Sequence, residues 1–242
     1  MNPAAAAPAI EALGVTKRFG RLPVLRGLDL TVKAGGIAAI VGPNAAGKST
    51  FIKSVLGLVG IDSGKLRVLG QDPSDGFAYR AEIGYMPQAA RFPENLTGNE
   101  VLALLTGLRP DQPQDRELIE IFGLVEELTQ PVRTLSGGTR QKLNAVVAFL
   151  FRPKLLILDE PTAGLDPISS AKLKDKVLQA PAQGTTVLLT SHLMSEVEEL
   201  AGEIAFVLDG QIRFHGSIEL LRNRSGETRL ERAVAWLMTD IS

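Results

Sequence analysis

Apolar and polar positions along the chain fall into short blocks whose period changes from one block to the next. "GIAAIVG" (Gly36 to Gly42) is a brief apolar run that stops at a glycine, as a buried strand entering a tight turn does. "KSTFIKSVLGL" follows it with Phe51, Val55 and Leu58 at helical spacing, so the order here is strand, glycine loop, helix. "KLRVLG" (Lys65 to Gly70) alternates like a half-buried strand, and "IGYMPQ" (Ile83 to Gln88) ends another. "KLLILDE" (Lys154 to Glu160) and "TTVLLTSH" (Thr185 to His192) are continuous apolar runs of strand length that end in polar residues. That pattern predicts strands buried on both faces of a parallel α/β sheet, and such sheets carry their sites beyond the C-terminal strand ends. "EIAFVLDGQIRFHG" reads as a hairpin turning at Asp209-Gly210.

Between these strands the texture shifts. From Ala89 to about Pro153, glycine and proline separate helical patterns such as "NEVLALLTGL" and "DRELIEIFGL", which predicts a helical insertion over about 89–153. "GETRLERAVAWLM" predicts an amphipathic helix, with Trp236 packing, in a C-terminal helical tail of about 216–242. The Ala/Pro-rich start reads as a frayed extension over residues 1–8. No repeat or long linker divides the chain, so 1–242 reads as a single domain.

Composition narrows the chemistry. Lys and Arg number 26 against 27 Asp and Glu, which gives no electrostatic footprint for nucleic acid. The absence of cysteine excludes disulfides and thiolate sites, and with only His192 and His215 a histidine metal cluster is excluded as well. The longest apolar stretch, "LNAVVAFLF" (Leu143 to Phe151), is too short to span a bilayer, and the N-terminus lacks the features of a secretion signal. The sequence therefore reads as a soluble intracellular protein whose work at a membrane requires a partner.

Three segments carry candidate chemistry. Gly42, Pro43, Asn44, Ala45, Ala46, Gly47, Lys48, Ser49 and Thr50 fit G-x-x-x-x-G-K-[ST] between a predicted strand and a predicted helix. Successive amides and the helix start would form a concave anion site. Lys48 would bridge the outer phosphates of a nucleotide, and Ser49 would ligate Mg²⁺. Ala45 stands where such loops often carry another glycine, a substitution that costs about 1–2 kcal/mol if the position needs φ > 0. At the end of "LLILDE", Asp159 suits the Mg²⁺ shell and Glu160 the role of base or water-orienting group. "LSGGTRQKLNAVVAFL" places Ser136, Gly137 and Gly138 at the start of an amphipathic helix whose apolar face holds Leu143, Val146, Val147 and Leu150, which makes a second anion site. Two phosphate-binding helix starts with one acidic strand make sense if two chains meet head to tail across shared nucleotide.

On these residues the sequence resembles the nucleotide-binding domain of ATP-binding cassette (ABC) proteins over nearly its whole length. The resemblance implies an α/β P-loop NTPase with a RecA-like core, an antiparallel β subdomain and a helical subdomain. It also implies an ATPase that uses ATP and Mg²⁺. Phe19 matches the aromatic stacked on adenine, Gln88 the Q-loop glutamine that contacts Mg²⁺ and water, and Gly42 to Thr50 the Walker A loop. Ser136, Gly137 and Gly138 match the signature, acting across the dimer, while Asp159 and Glu160 match Walker B and the catalytic glutamate. "GLDP" (Gly164 to Pro167), with Asp166, matches the D-loop, and His192 the switch histidine. Thr139 departs from the glutamine that most often follows the signature glycines. The resemblance implies a homodimer of ATPase subunits docked at the cytoplasmic face of the cell membrane, under a separate transmembrane subunit. The segment "QAARFPENLTGNEVL" is the expected docking region.

A narrower resemblance links "YMPQAARFPENLTGNEV", "LLTSHLMSEVEELA" and "GETRLERAVAWLM" to the ATPases of Nos-type transporters, which serve copper-site assembly of nitrous oxide reductase. With its cysteine and histidine content the chain would be the motor there and bind no copper directly. The alternative is the ATPase of another ABC exporter, for lipid, polysaccharide or drug.

Overall fold

The computed structural model describes residues 7–239, so most of the predicted N-terminal extension and the last residues of the tail lie outside the described range. Strands β1 (Ile10–Phe19) and β2 (Leu22–Val32) form an antiparallel hairpin. β3 (Ile37–Val41) leads through the glycine loop into α1 (Lys48–Val55), and β4 (Ser63–Val68) returns to pair with β1. After β5 (Ile83–Met86) come α2 (Gly98–Leu108), α3 (Glu117–Phe122) and α4 (Gly137–Phe149). The chain then runs through β6 (Leu155–Asp159), α5 (Pro167–Gln179), β7 (Thr186–Thr190) and α6 (Met194–Leu200). The hairpin of β8 (Glu203–Leu208) and β9 (Gln211–Ser217) precedes α7 (Ile218–Ser225) and α8 (Leu230–Thr239).

A three-stranded antiparallel sheet has the order β2-β1-β4, and a six-stranded sheet the order β5-β6-β7-β3-β8-β9. The larger sheet is parallel except for β9. Its strands divide their side chains between two cores, as a period of two requires. Leu156 and Leu158 of β6 pack with α2 to α8, whereas Leu155 and Ile157 face α1 and the antiparallel sheet. Continuous apolar runs are therefore what the sheet needs, because both faces are covered. Since β7 lies between β6 and β3, the loop after β3 and the acidic end of β6 are brought to one sheet edge, with the end of β7 between them.

Local signals account for most boundaries. The β8–β9 hairpin turns at Asp209-Gly210 with φ 50° and 76°, the left-handed pair that a two-residue turn of this hand needs. Ser136 caps α4 by accepting from the Thr139 amide, and Asp166 caps α5 by accepting from the Ser169 amide. Two helical expectations need correction. α1 ends at Val55, so Leu58 lies past the helix and is exposed, its amide turning back to the Lys53 carbonyl. On α4, Val147 is only partly buried, while Leu143, Val146 and Leu150 are buried as expected. The C-terminal helices begin at Ile218, because Gly216 and Ser217 still belong to β9, and Trp236 packs against the core.

Candidate functional site

At the C-terminal edge of β3, β6 and β7 lies a cleft of about 480 Å³. Gly42, Asn44 to Thr50, Gln88, Asp159, Glu160 and His192 line it, together with Leu22, Val24, Thr190 and Ser191. The sequence-predicted loop, glutamine, carboxylates and histidine thus converge on one volume.

The loop is shaped by what packs behind it. A Cβ on Gly42 would stand 2.1 Å from the Val207 carbonyl oxygen, so only glycine fits against β8. The Gly210 amide donates to the Ala46 carbonyl at 3.0 Å, and the Gly210 carbonyl accepts from the Arg26 amide, so the β8–β9 turn and β2 brace the loop together. Gly47, with φ 108°, caps α1 without a side-chain bond, which leaves the helix's first amides available to a ligand. Ala45 sits at φ 63°, so the natural loop does place an alanine in the left-handed region. Lys48 Nζ donates to the Gly42 and Pro43 carbonyls at 2.6 and 2.9 Å. Burial pushes the Lys48 ammonium below its ordinary pKa, against the upward pull of Glu160 and Asp159.

The acidic side is equally ordered. The Thr190 hydroxyl donates to Asp159 Oδ1, which fixes one oxygen of a carboxylate that lines the cleft. Glu160 follows with φ 51°, a strained conformation for a non-glycine residue, and its amide donates to the Thr190 carbonyl. Gln88 Nε2 donates to Glu160 Oε2 at 2.9 Å, and His192 Nδ1 lies 3.2 Å from Glu160 Oε1. The glutamine just past β5 and the histidine just past β7 therefore share the carboxylate of the glutamate that follows β6.

Other predicted residues lie elsewhere. Pro43 contributes its carbonyl to Lys48 without lining the cleft. Phe19 is half-exposed at the end of β1, with Lys17 Nζ 5.6 Å from its ring centroid, and pairs across the turn with Leu22, which does line the cleft. Ser136 and Gly137 are exposed at the start of α4, outside the cleft. A Cβ on Gly138 would stand 3.3 Å from the Gly164 carbonyl oxygen, so Gly138 abuts the "GLDP" turn, whereas Gly137 faces open space. Asp166 in that turn accepts from the Ser169 hydroxyl and pairs with Lys142 of α4 at 3.2 Å; these bonds hold its carboxyl well below the usual range. Thr139 reaches back as well, its hydroxyl 2.8 Å from Ser136 Oγ.

Sequence reasoning missed Leu22, Val24, Thr190 and Ser191 in the lining. Thr190 and Ser191 were within reach of the strand-end rule, since they close β7 directly before His192. Leu22 and Val24 carry no signal of their own and arrive through the β1–β2 hairpin.

Residues 25–163 match the ABC transporter family. The chain is 36% identical over 229 residues to a daunorubicin resistance ATP-binding protein of Streptomyces coeruleorubidus, covering 92% of this chain and 72% of that protein. It is 33% identical over 236 residues to a linearmycin resistance ATP-binding protein of Bacillus subtilis (strain 168), covering 93% of this chain and 75% of that one. Among solved structures, an ATP-binding subunit of an ABC transporter superposes with a TM-score of 0.90 at 28% identity, covering 95% of this chain and 99% of that chain. The cleft, the fold around it and these similarities along the chain agree: the protein belongs to the ABC transporter family, as an ATP-hydrolysing nucleotide-binding cassette.

Proposed function

We propose that the chain is the motor subunit for a separate membrane-spanning polypeptide, working as a head-to-tail pair that holds nucleotide between one chain's loop and the other's signature. The observation that carries this is the convergence of Gln88 and His192 on the Glu160 carboxylate beside the loop. In this reading the amides of Gly42 to Thr50 and the Lys48 ammonium hold the phosphates. Glu160 orients the attacking water and takes its proton, while Gln88 and His192 fix the carboxylate and sense the γ-phosphate. Ser49, Gln88 and Asp159 line the same cleft as hard oxygen donors, which fits Mg²⁺. When bound, the ion would neutralise charge on the outer phosphate oxygens. Phe19, at the cleft's apolar lip with Leu22, is assigned to the adenine.

The signature residues Ser136, Gly137 and Gly138 and the D-loop Asp166 are assigned to the partner's nucleotide, because they lie outside their own chain's cleft. Among the described residues no helix is long and apolar enough to cross a membrane. We therefore place the pair at the cytoplasmic face of the cell membrane, with the insertion of about 89–153 passing movement to the membrane subunit. The end of α2, a few residues past the expected docking segment, lines a pocket of about 160 Å³ through Leu105 and Leu108, with Tyr85 and Phe151 opposite, which favours contact near that segment.

For cargo, the Nos-like stretches favour a role in copper-site assembly of nitrous oxide reductase, with the chain as motor and no copper bound to it. The drug-resistance relatives favour small-molecule export as the second reading. Two experiments separate them: identification of the neighbouring genes and co-purification of the membrane subunit. A nitrous oxide reductase gene beside a multispanning membrane protein supports the copper role. Absence of both ends it and leaves export, which is read as drug sensitivity on deletion.

A further inference from the structure

Two polar side chains interrupt the buried face of α4. Asn144 is 2% exposed and Gln141 7%, among apolar neighbours such as Leu143 and Val146. Amides in such positions are unfavourable unless their hydrogen bonds are met. Here the bonds are met by two particular carbonyls. Asn144 Nδ2 donates to the Pro87 carbonyl at 2.8 Å and to Gln141 Oε1 at 3.3 Å. Gln141 Nε2 donates in turn to the Pro161 carbonyl at 3.4 Å.

Pro87 immediately precedes Gln88, and Pro161 immediately follows Glu160. The bridge therefore grips the backbone on the outer side of each member of the Gln88–Glu160 pair. Neither proline has an N–H, so each carbonyl is the only backbone polar group its residue offers. The grip also matters mechanically, because Glu160 holds a left-handed φ that its surroundings must maintain. The same helix begins at the Ser136 cap.

We infer that Asn144, with Gln141, is a positioning residue for hydrolysis, one that ties the signature helix to the backbone on both sides of the Gln88–Glu160 pair. This rests on the roles proposed above for Gln88 and Glu160. Asn144 touches neither the cleft nor a reacting atom; it acts by setting where the pair stands. A shift of α4 on seating Ser136 against a partner's nucleotide is then transmitted to the water-orienting carboxylate of its own chain.

The test uses the full chain and compares Asn144→Ala, Gln88→Ala, the double variant and Val146→Ala, a control that truncates the same buried helix face without touching the bridge. Turnover, affinity for a fluorescent ATP analogue and melting temperature are measured for each. Asn144→Ala is expected to lower kcat roughly tenfold, since small misplacements of a reacting group have effects of that order or larger. Analogue affinity should stay within about twofold, because the phosphate-holding loop is untouched. In the Gln88→Ala background the Asn144 effect should shrink, because only the arm through Gln141 and Pro161 to Glu160 still has a group to position. Should Asn144→Ala fail to fold, Gln141→Met reads the same bridge from its other end with an apolar chain of similar length. The inference is overturned if the folded variant keeps wild-type kcat. It is also overturned if Val146→Ala costs as much turnover for the same loss of melting temperature, or if the Asn144 effect is undiminished without Gln88. Wild-type turnover in Gln88→Ala alone would overturn the site assignment as well, and so stands apart from failure of the bridge.

Discussion

Two glycine-bearing helix starts in this chain are built for different work. α1 begins inside a cleft, capped by a glycine that spends no side chain on the helix, with two carboxylates, a glutamine and a histidine around it. α4 begins on an exposed surface, and its cap Ser136 already accepts from the Thr139 amide and contacts the Thr139 hydroxyl. The first has donors and machinery together; the second has donors alone, and its neighbours are the D-loop turn and Lys142. In the head-to-tail pairing proposed above, each start is half of a site, and the missing half of each is what the other supplies.

The largest test of that contrast removes the machinery. Glu160→Gln should keep ATP binding, lose turnover by about 10²- to 10⁴-fold, and accumulate as a dimer in ATP, read by size-exclusion chromatography. A monomer under those conditions would break the pairing of the two starts. Next comes Ser136→Arg, expected to leave ATP binding by one chain intact and cut hydrolysis roughly a hundredfold. Mixing it with Lys48→Ala sharpens the point. Half-sites from different chains predict recovery to about a quarter of wild-type activity, because a mixed dimer retains one intact composite site. If each chain used its own signature, the mixture would stay dead.

Smaller effects refine the two halves. Thr139→Ala frees the Ser136 hydroxyl while keeping the helix cap, so turnover should change by no more than about tenfold, the scale of one hydrogen bond. Ala45→Gly relieves a left-handed alanine. The gain of about 1–2 kcal/mol is partly offset by roughly 0.5–1 kcal/mol of added freedom in the unfolded chain. A rise in melting temperature of about 1–4 °C is expected, with little change in turnover. Recovery from no activity to full activity would instead show that the natural loop is disabled.

Much of this architecture was legible because buried strands and glycine turns leave strong marks. Leu155 to Leu158 read as a doubly buried strand, Asp209-Gly210 as a hairpin turn, and both proved so. The loop was legible through its spacing, Asp159 and Glu160 through their place at the end of a buried strand, and Gln88 and His192 only through the family resemblance; all of them meet at one cleft. Leu58 misled because helical spacing continues one step past the point where the backbone turns away. Asn144 and Gln141 were invisible for a different reason. On an apolar helix face they look like breaks in the pattern, and only the carbonyls of Pro87 and Pro161 explain them. Nothing in the letters around Glu160 announces its φ of 51°, since that torsion is imposed by tertiary contacts.

The brace behind the phosphate loop has a consequence for how the protein comes into being. Gly42 is fitted to Val207, and Ala46 is held by Gly210, so the loop takes its form from a hairpin far along the sequence. On the ribosome the loop emerges well before the hairpin, with α1 to α6 made in between. Until β8 and β9 dock, a nascent chain carries Lys48 and its neighbours on a loop without a mould. Competence to hold nucleotide therefore waits on the docking of β8 and β9, long after Lys48 itself has been made.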